Sequence, residues 1–116
     1  MSIFEVPTAD ELSSVESVEY REVEGNPGTF GLLARAQSGA VLDLVADPIG
    51  RSVRVLVTLG DSTITSLFRE AATLLRVRND VEGVEISVWF EANDLAGTVE
   101  IAVSDGVRVR DVLVLR

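Results

Sequence analysis

The sequence predicts a single α+β domain: a mostly antiparallel sheet of six or seven strands with one amphipathic helix, at about 62–78, packed on it. Three observations support this fold class. The 116 residues are about one domain long, and 47% of them are apolar, enough for one hydrophobic core. From residue 18 onward, most apolar residues alternate with polar ones, as in half-buried strands. One stretch repeats its apolar residues at helical spacing instead.

An acidic arm, residues 1–17, is predicted to precede the α+β domain at 18–116. Pro7 ends any strand in the arm. The next four residues, Thr8–Glu11, fit a capping box, in which the Thr8 hydroxyl caps the backbone N–H of Glu11 and the Glu11 carboxylate reaches back. We therefore expect one or two helical turns through Leu12.

Four short strands are predicted next, near 18–24, 30–36, 40–46 and 52–59, with turns rich in Gly, Pro, Ser and Asp between them. The first turn lies in the segment EGNPGTFG, residues 24–31, whose glycines suggest a phosphate-binding loop. Such a loop needs a lysine or a helix directly after it, and here a strand pattern follows. We interpret the segment as a bend in which Gly25 and Gly28 supply the turn dihedrals.

The segment 61–78 has the apolar spacing of an amphipathic helix. Its apolar residues recur at intervals of three and four, and they are Ile64, Leu67, Phe68, Ala71, Leu74 and Leu75. Asp61 or Ser62 is a suitable N-cap, and Arg76 and Arg78 occupy the predicted last turn, where the helix dipole favours cations. This helix is expected to lie across the sheet.

The last third of the chain is predicted to form a three-stranded antiparallel meander. Keeping the apolar residues on one face places Val103 opposite Val107 and leaves 104–106 as a three-residue loop, with Gly106 in the left-handed conformation of a glycine bulge. In this register Glu100 lies opposite Trp89 on one neighbouring strand and opposite Arg110 on the other.

A candidate protein-binding row lies on the polar face of this meander. It consists of Trp89, Glu100 and Arg110, with Glu85 and Glu91 on the same face. Tryptophan and arginine are the side chains that most often dominate the binding energy of protein interfaces. The alternative is that the arm or another strand covers this face and makes Trp89 part of a second small core.

Asp111 breaks the apolar pattern of the last strand. Because an unpaired buried carboxylate is costly, this residue must be paired, turned outward or functional. We expect a β-bulge at Arg110–Asp111, which would turn Asp111 outward and bring Val112 and Val114 to the core side.

The composition disfavours most catalytic chemistry. The chain has no histidine, cysteine or lysine, so the commonest general bases, covalent nucleophiles and Schiff-base formers are missing. Two acidic sets, Asp43 with Asp47 and Asp80 with Glu82 and Glu85, lack the spacing of a calcium-binding loop. We therefore predict no catalytic residue, no metal site and no cofactor.

The net charge of −9 is concentrated near the N-terminus. Residues 1–24 hold seven acidic residues against Arg21, whereas the remaining residues hold twelve against nine arginines. The acidic side chains of the arm, Asp10 and Glu11 among them, favour a more basic protein partner and disfavour nucleic acid. No apolar run approaches the ~20 residues of a membrane span, so we expect no contact with a membrane. A cytoplasmic protein of a bacterium is the expectation that we adopt.

These features favour a small non-enzymatic protein-binding domain, for instance an inhibitor of immunity or antitoxin type. The first alternative is a self-assembling structural subunit of a phage or shell, a homo-oligomer held together by the arm and by free sheet edges. The second is a carboxylate-based enzyme or a small-ligand carrier.

Overall fold

Two antiparallel sheets account for most of residues 3–115, the part of the chain that this computed structural model describes. Each sheet is a meander in which consecutive strands are neighbours. The first sheet contains β1 (Glu19–Glu22), β2 (Phe30–Arg35), β3 (Val41–Asp47), β4 (Ser52–Leu59) and β5 (Ser62–Glu70). The second contains β6 (Ala72–Asn79), β7 (Val84–Ala92), β8 (Leu95–Val103) and β9 (Val107–Leu115). The predicted single sheet of six or seven strands therefore has too few strands and misses the division in two.

The four strands predicted before residue 60 are confirmed, with ends shifted by no more than two residues. Their side chains alternate as a period of two requires: Leu42, Leu44 and Ala46 of β3 are buried, and the residues between them are partly exposed. In the bend between β1 and β2, Gly25 and Gly28 have φ values of 82° and 84°. This confirms the bend, since such dihedrals favour glycine.

The predicted helix at 62–78 is wrong. These residues form β5 and β6, and the chain passes from one sheet to the other at Ala71, whose φ is 65°. The β-branched run at 63–65 favours a strand over a helix. Leu67 of β5 and Leu75 of β6 both face the core, so the apolar residues with helical spacing are divided between two strands.

Side chains from both sheets build one hydrophobic core. We call the faces that point toward this core the inner faces, and the opposite faces the outer faces. The largest fully buried side chains are Leu12, Leu32, Leu42, Leu44, Leu75, Ile86, Ile101, Val53, Val55, Val84, Val88 and Val99. Each such side chain contributes about 1.5–3 kcal/mol through removal from water, so the packing of the two inner faces is the main source of stability.

The short helix α1 (Ala9–Ser13) begins at the predicted capping box, which is confirmed. The Thr8 hydroxyl oxygen accepts a hydrogen bond from the backbone N–H of Glu11 at 3.1 Å, and the Glu11 carboxylate accepts one from the backbone N–H of Thr8 at 3.1 Å. Leu12 turns the helix toward the core, where it is 1% exposed. Within residues 3–115, no helix has the length and apolar character that crossing a membrane requires.

The residues before α1 lie along the edge of the second sheet. Phe4 is buried in the shared core. Glu5 forms a parallel bridge with β6: its backbone N–H donates to the Thr73 carbonyl at 2.9 Å, and its carbonyl accepts from the Leu75 N–H at 2.9 Å. Of the predicted arm, residues 3–17 are described, and they are packed against the domain at these points.

The C-terminal meander is confirmed, and β6 extends it to four strands. Val103 lies opposite Val107, and Glu100 lies opposite Arg110, as predicted. The expected pairing of Trp89 with Glu100 is wrong, because Trp89 lies opposite Thr98.

A tighter hairpin causes this difference in register. Ala92 pairs with Leu95, so Asn93 and Asp94 alone form the turn between β7 and β8, and Asn93 has a φ of 53°. Asparagine tolerates this left-handed conformation better than most residues, which permits a two-residue turn. The loop at 104–106 is present, but Gly106 does not have the predicted positive φ.

The predicted bulge at Arg110–Asp111 is also wrong. The register between β8 and β9 runs without a shift, and Asp111 lies opposite the buried Val99. Its carboxylate pairs with the guanidinium of Arg69 on β5. Pairing, rather than a bulge, therefore accommodates the carboxylate on the inner face.

Candidate protein-binding surface

The outer face of the second sheet carries most of the residues that the sequence predicted to bind a partner. The strand register arranges its side chains in three cross-strand rows. The first row is Leu74, Trp89, Thr98 and Val112. The second is Arg76, Ser87, Glu100 and Arg110. The third is Arg78, Glu85, Ala102 and Arg108. Trp89 thus lies in the row beside the Glu100–Arg110 pair, on the same face.

Trp89 is a partly buried residue that Arg76 covers on one side. The guanidinium carbon of Arg76 lies 5.9 Å from the centroid of the indole ring, which is the geometry of a cation–π contact. A cavity of 350 Å³ borders the ring and is lined by residues of the second sheet, Glu91 among them. The ring therefore has Arg76 on one side and is reached from solvent at this cavity.

Arg78 and Glu85 form an ion pair in the third row. The hydrogen bond that the Arg78 guanidinium donates to Glu85, together with the negative charge of Glu85, raises the pKa of Arg78 above its ordinary value. The side chain of Arg78 is 75% exposed, so solvent screens this pair. Because the Glu85 carboxylate is already bound by Arg78, it is less available to a partner.

Glu100, Arg108 and Arg110 make no hydrogen bond and no ion pair with any of residues 3–115. All three are exposed, and they border a cavity of 560 Å³ together with Glu85 and Ser87. Charges without partners inside the protein have more to gain from a partner than paired ones, because no internal contact is lost on binding.

Asp10 and Glu11, the predicted acidic site residues of the arm, lie in the first turn of α1. Hydrogen bonds from the backbone and side chain of Thr8 lower the pKa of Glu11. Glu11 borders a cavity of 510 Å³ between α1 and β6, together with Arg76 and Arg78. The structure therefore brings Glu11 to the margin of the outer face of the second sheet, while Asp10 points into solvent on the exposed side of α1.

The sequence did not identify Leu74, Arg76, Arg108 and Val112 as members of this face. Leu74 and Arg76 were assigned to the predicted helix, so their strand neighbours were hidden. Val112 was assigned to the core side by the predicted bulge. Arg108 was not singled out, although its alternation with Val107 and Val109 is the signal in the sequence that places it on the same face as Arg110.

The acidic residues weighed as metal ligands have other contacts. Asp43 lies 3.6 Å from Arg21, and Asp47 accepts a hydrogen bond from the backbone N–H of Gly50 at 2.9 Å. Asp80 accepts one from the backbone N–H of Val81 at 2.7 Å. Among residues 3–115, no three acidic side chains come together in a group able to hold a metal ion.

The fold is similar to that of a chain in a solved structure, the contact-dependent growth inhibition toxin–immunity protein complex from Klebsiella pneumoniae 342. The TM-score is 0.80, the sequences are 21% identical, and the match covers 98% of this chain and 100% of the other. No protein-family model matches the sequence. A comparison with curated proteins gave no significant match. At this identity the likeness establishes a shared fold along the whole chain.

Proposed function

We propose that the chain is a non-enzymatic binding protein of immunity type, which neutralises a toxin by occupying part of its surface. The observation that carries the proposal is the full-length similarity in fold to a chain of a toxin–immunity complex. The partner is a protein, and the overall charge of −9 favours a partner more basic than this chain. The place of action would be the bacterial cytoplasm.

The composition favours the immunity side of such a complex over the toxin side. A toxin that acts as an enzyme needs general bases or nucleophiles, and this chain has no histidine, cysteine or lysine. An inhibitor needs only complementary shape and charge. The second alternative, a carboxylate enzyme, draws some support from Glu85 and Glu100, which border one cavity. Glu85 is paired with Arg78, however, which opposes a role as a free base.

The docking surface we propose is the outer face of the second sheet. Trp89, held by Arg76, supplies a rigid aromatic anchor next to the unpaired Glu100 and Arg110. In protein interfaces, the residues that contribute most of the binding energy are often aromatic side chains of this kind with polar residues around them. The acidic residues of α1, Asp10 and Glu11, lie outside this face and would raise the association rate by attracting a basic partner.

The test requires the partner itself, obtained as the product of a neighbouring gene or by capture from the native host. We expect Trp89→Ala to weaken its binding by about 2–4 kcal/mol, or roughly 30- to 1000-fold in Kd. Phe68→Ala is the matched control, because Phe68 is an aromatic residue of the first sheet that is 54% exposed. We expect less than a threefold change for this control.

Equal affinities for the two variants would remove the proposed docking surface. A partner that is never inhibited, or the absence of any captured partner, would remove the immunity function itself. A monomer at all concentrations in a size measurement would count against the self-assembling alternative.

A further inference from the structure

Strand β9 has the composition of an interior strand but lies at the edge of its sheet. The order of the second sheet is β6-β7-β8-β9, and within residues 3–115 β9 pairs with β8 alone. Its end contains an unbroken apolar run, Val112, Leu113 and Val114, in which residues of both faces are apolar. Leu113 is 61% exposed and Val114 is 52% exposed. Continuous apolar runs are typical of strands covered on both faces, so the exposed Leu113 and Val114 lack the cover that such a run usually has.

The inner face at this end of the second sheet is also left open. Leu113 lies opposite Gly97 on β8, and both border an apolar cavity of 200 Å³ together with Phe90 and Leu95. Leu95 is 43% exposed although it belongs to the inner face. The first sheet reaches this cavity through Arg69 and Glu70 of β5, but it leaves Leu95 and Leu113 exposed, so apolar surface is available beside the free edge.

The charges along β9 are positive, in contrast to the chain as a whole. Arg108 and Arg110 project from its outer face and have no partner among residues 3–115. The one carboxylate of the strand, Asp111, is paired with Arg69. An added strand next to β9 would place its side chains within about 4.5–5.5 Å of these arginines and of Val112 and Val114.

From these observations we infer that β9 accepts an extended segment of the partner as a fifth strand of the second sheet. The segment would carry acidic side chains opposite Arg108 and Arg110, and apolar side chains opposite Val112 and Val114. Backbone hydrogen bonds to the free edge would supply much of the binding, and side-chain alternation would supply the selectivity. This inference rests on the proposed function, because the segment belongs to the neutralised protein.

A second copy of this chain fits the edge less well. Two β9 strands paired in antiparallel fashion would bring Arg108 and Arg110 of each copy opposite one another or opposite valines, and like charges in such positions are destabilising. Each copy also carries a net charge of −9. An acidic and apolar segment of a partner that is basic overall avoids both difficulties, because its acidic side chains lie opposite the arginines and the rest of the partner carries the opposite charge.

Hydrogen–deuterium exchange of the protein, alone and in complex with the captured partner, tests the inference. We expect the backbone amides of residues 107–115 to become protected in the complex, by about tenfold or more in exchange rate. Unchanged exchange of these amides, in a complex that Trp89→Ala still weakens, would overturn strand addition and leave the proposed function standing. Failure to capture any partner would overturn both. Protection of β9 in the concentrated protein alone would identify a second copy as the occupant and overturn the inference.

A charge-reversal pair sharpens this test. The double variant Arg108→Glu/Arg110→Glu is compared with Arg35→Glu/Arg54→Glu, which reverses two exposed arginines of the first sheet and changes the net charge equally. We expect roughly tenfold weaker binding for the β9 variant and little change for the control. Equal effects of the two variants would mean that net charge alone matters, which contradicts an acidic segment at β9.

Discussion

Arg69 and Asp111 form an ion pair that joins the free edges of the two sheets. Arg69 belongs to β5, the last strand of the first sheet, and Asp111 to β9, the last strand of the second. The two side chains are 35% and 31% exposed, so solvent reaches the pair but does not surround it. Inward-pointing charges at a sheet edge also oppose unspecific edge pairing. The carboxylate that broke the apolar pattern of the sequence thus has a structural partner in the other sheet.

We expect this ion pair to stabilise the fold by about 1 kcal/mol, between the values typical of exposed and buried pairs. A double-mutant cycle with Arg69→Ala and Asp111→Ala, measured by urea unfolding, gives the coupling energy directly. The same cycle on Arg78 and Glu85 is the control, because Arg78 is 75% exposed. A coupling energy no larger than that of the control would contradict this role.

The capping box predicts a specific dependence of stability on pH. The hydrogen bonds from Thr8 lower the pKa of Glu11 below its ordinary value of 4.5. Stability from the Glu11 carboxylate is therefore present above the ordinary pKa and is lost as the pH falls through the lowered pKa. We expect Glu11→Gln to be less stable than the wild type at pH 7 and to approach it at acidic pH.

Asp10→Asn is the matched control for this experiment, since it removes an equal charge from the same helical turn without touching the capping box. Thermal unfolding across the acidic range compares the three proteins. If the difference between Glu11→Gln and the wild type stayed constant with pH, the carboxylate would not be acting through its charge.

We expect the protein to become more stable when Ala71 is replaced by glycine. Its φ of 65° lies in the left-handed region, which costs an L-residue about 1–2 kcal/mol. Glycine avoids this cost but loses about 0.5–1 kcal/mol of conformational entropy on folding, so a net gain of up to about 1.5 kcal/mol follows. Ala102→Gly, near the C-terminal end of β8, should make the protein less stable instead, because Ala102 is paired with a strand on each side. Chemical denaturation that shows a loss for both variants would contradict the strained crossover.

Phe4 tests whether the N-terminal segment is part of the folded domain. Its side chain is 3% exposed, and we expect Phe4→Ala to lower the free energy of unfolding by about 3–5 kcal/mol because a large cavity would remain. Ile3→Ala is the control, since Ile3 is 72% exposed and its truncation should change the free energy of unfolding by less than about 0.5 kcal/mol. If Phe4→Ala were as stable as the wild type, the result would instead favour an arm detached from the domain, as the self-assembling alternative requires.

The sequence was most informative where local chemistry decides the structure. The capping box at Thr8 and Glu11 is a local arrangement of hydrogen bonds, and it was predicted correctly. The four early strands and the pairing of Val103 with Val107 follow from alternation and from turn residues close to them. Each of these features depends on neighbours within a few residues.

The errors arose where strands from distant parts of the chain meet. The crossover at Ala71 has neither glycine nor proline, so no turn signal separated β5 from β6, and their apolar residues imitated a helical stripe. The partner of Asp111 is Arg69, which the predicted helix had placed elsewhere. The register of Trp89 depended on a two-residue turn at Asn93 that contains no glycine. Consequently the face of the candidate site and its Glu100–Arg110 pair were predicted, but the row of Trp89 and the neighbouring Arg76 were not.

The connection at Ala71 divides the chain into two halves that are each continuous in sequence. Every strand pairs with the strand next to it along the chain, so hydrogen-bonded pairing within each half closes only short loops. The halves meet through side chains, through the ion pair of Arg69 with Asp111, and through the bridge of Glu5 with Leu74. Two polypeptides separated at this connection would therefore each retain a complete meander, and the protein is suited to reconstitution from complementary fragments.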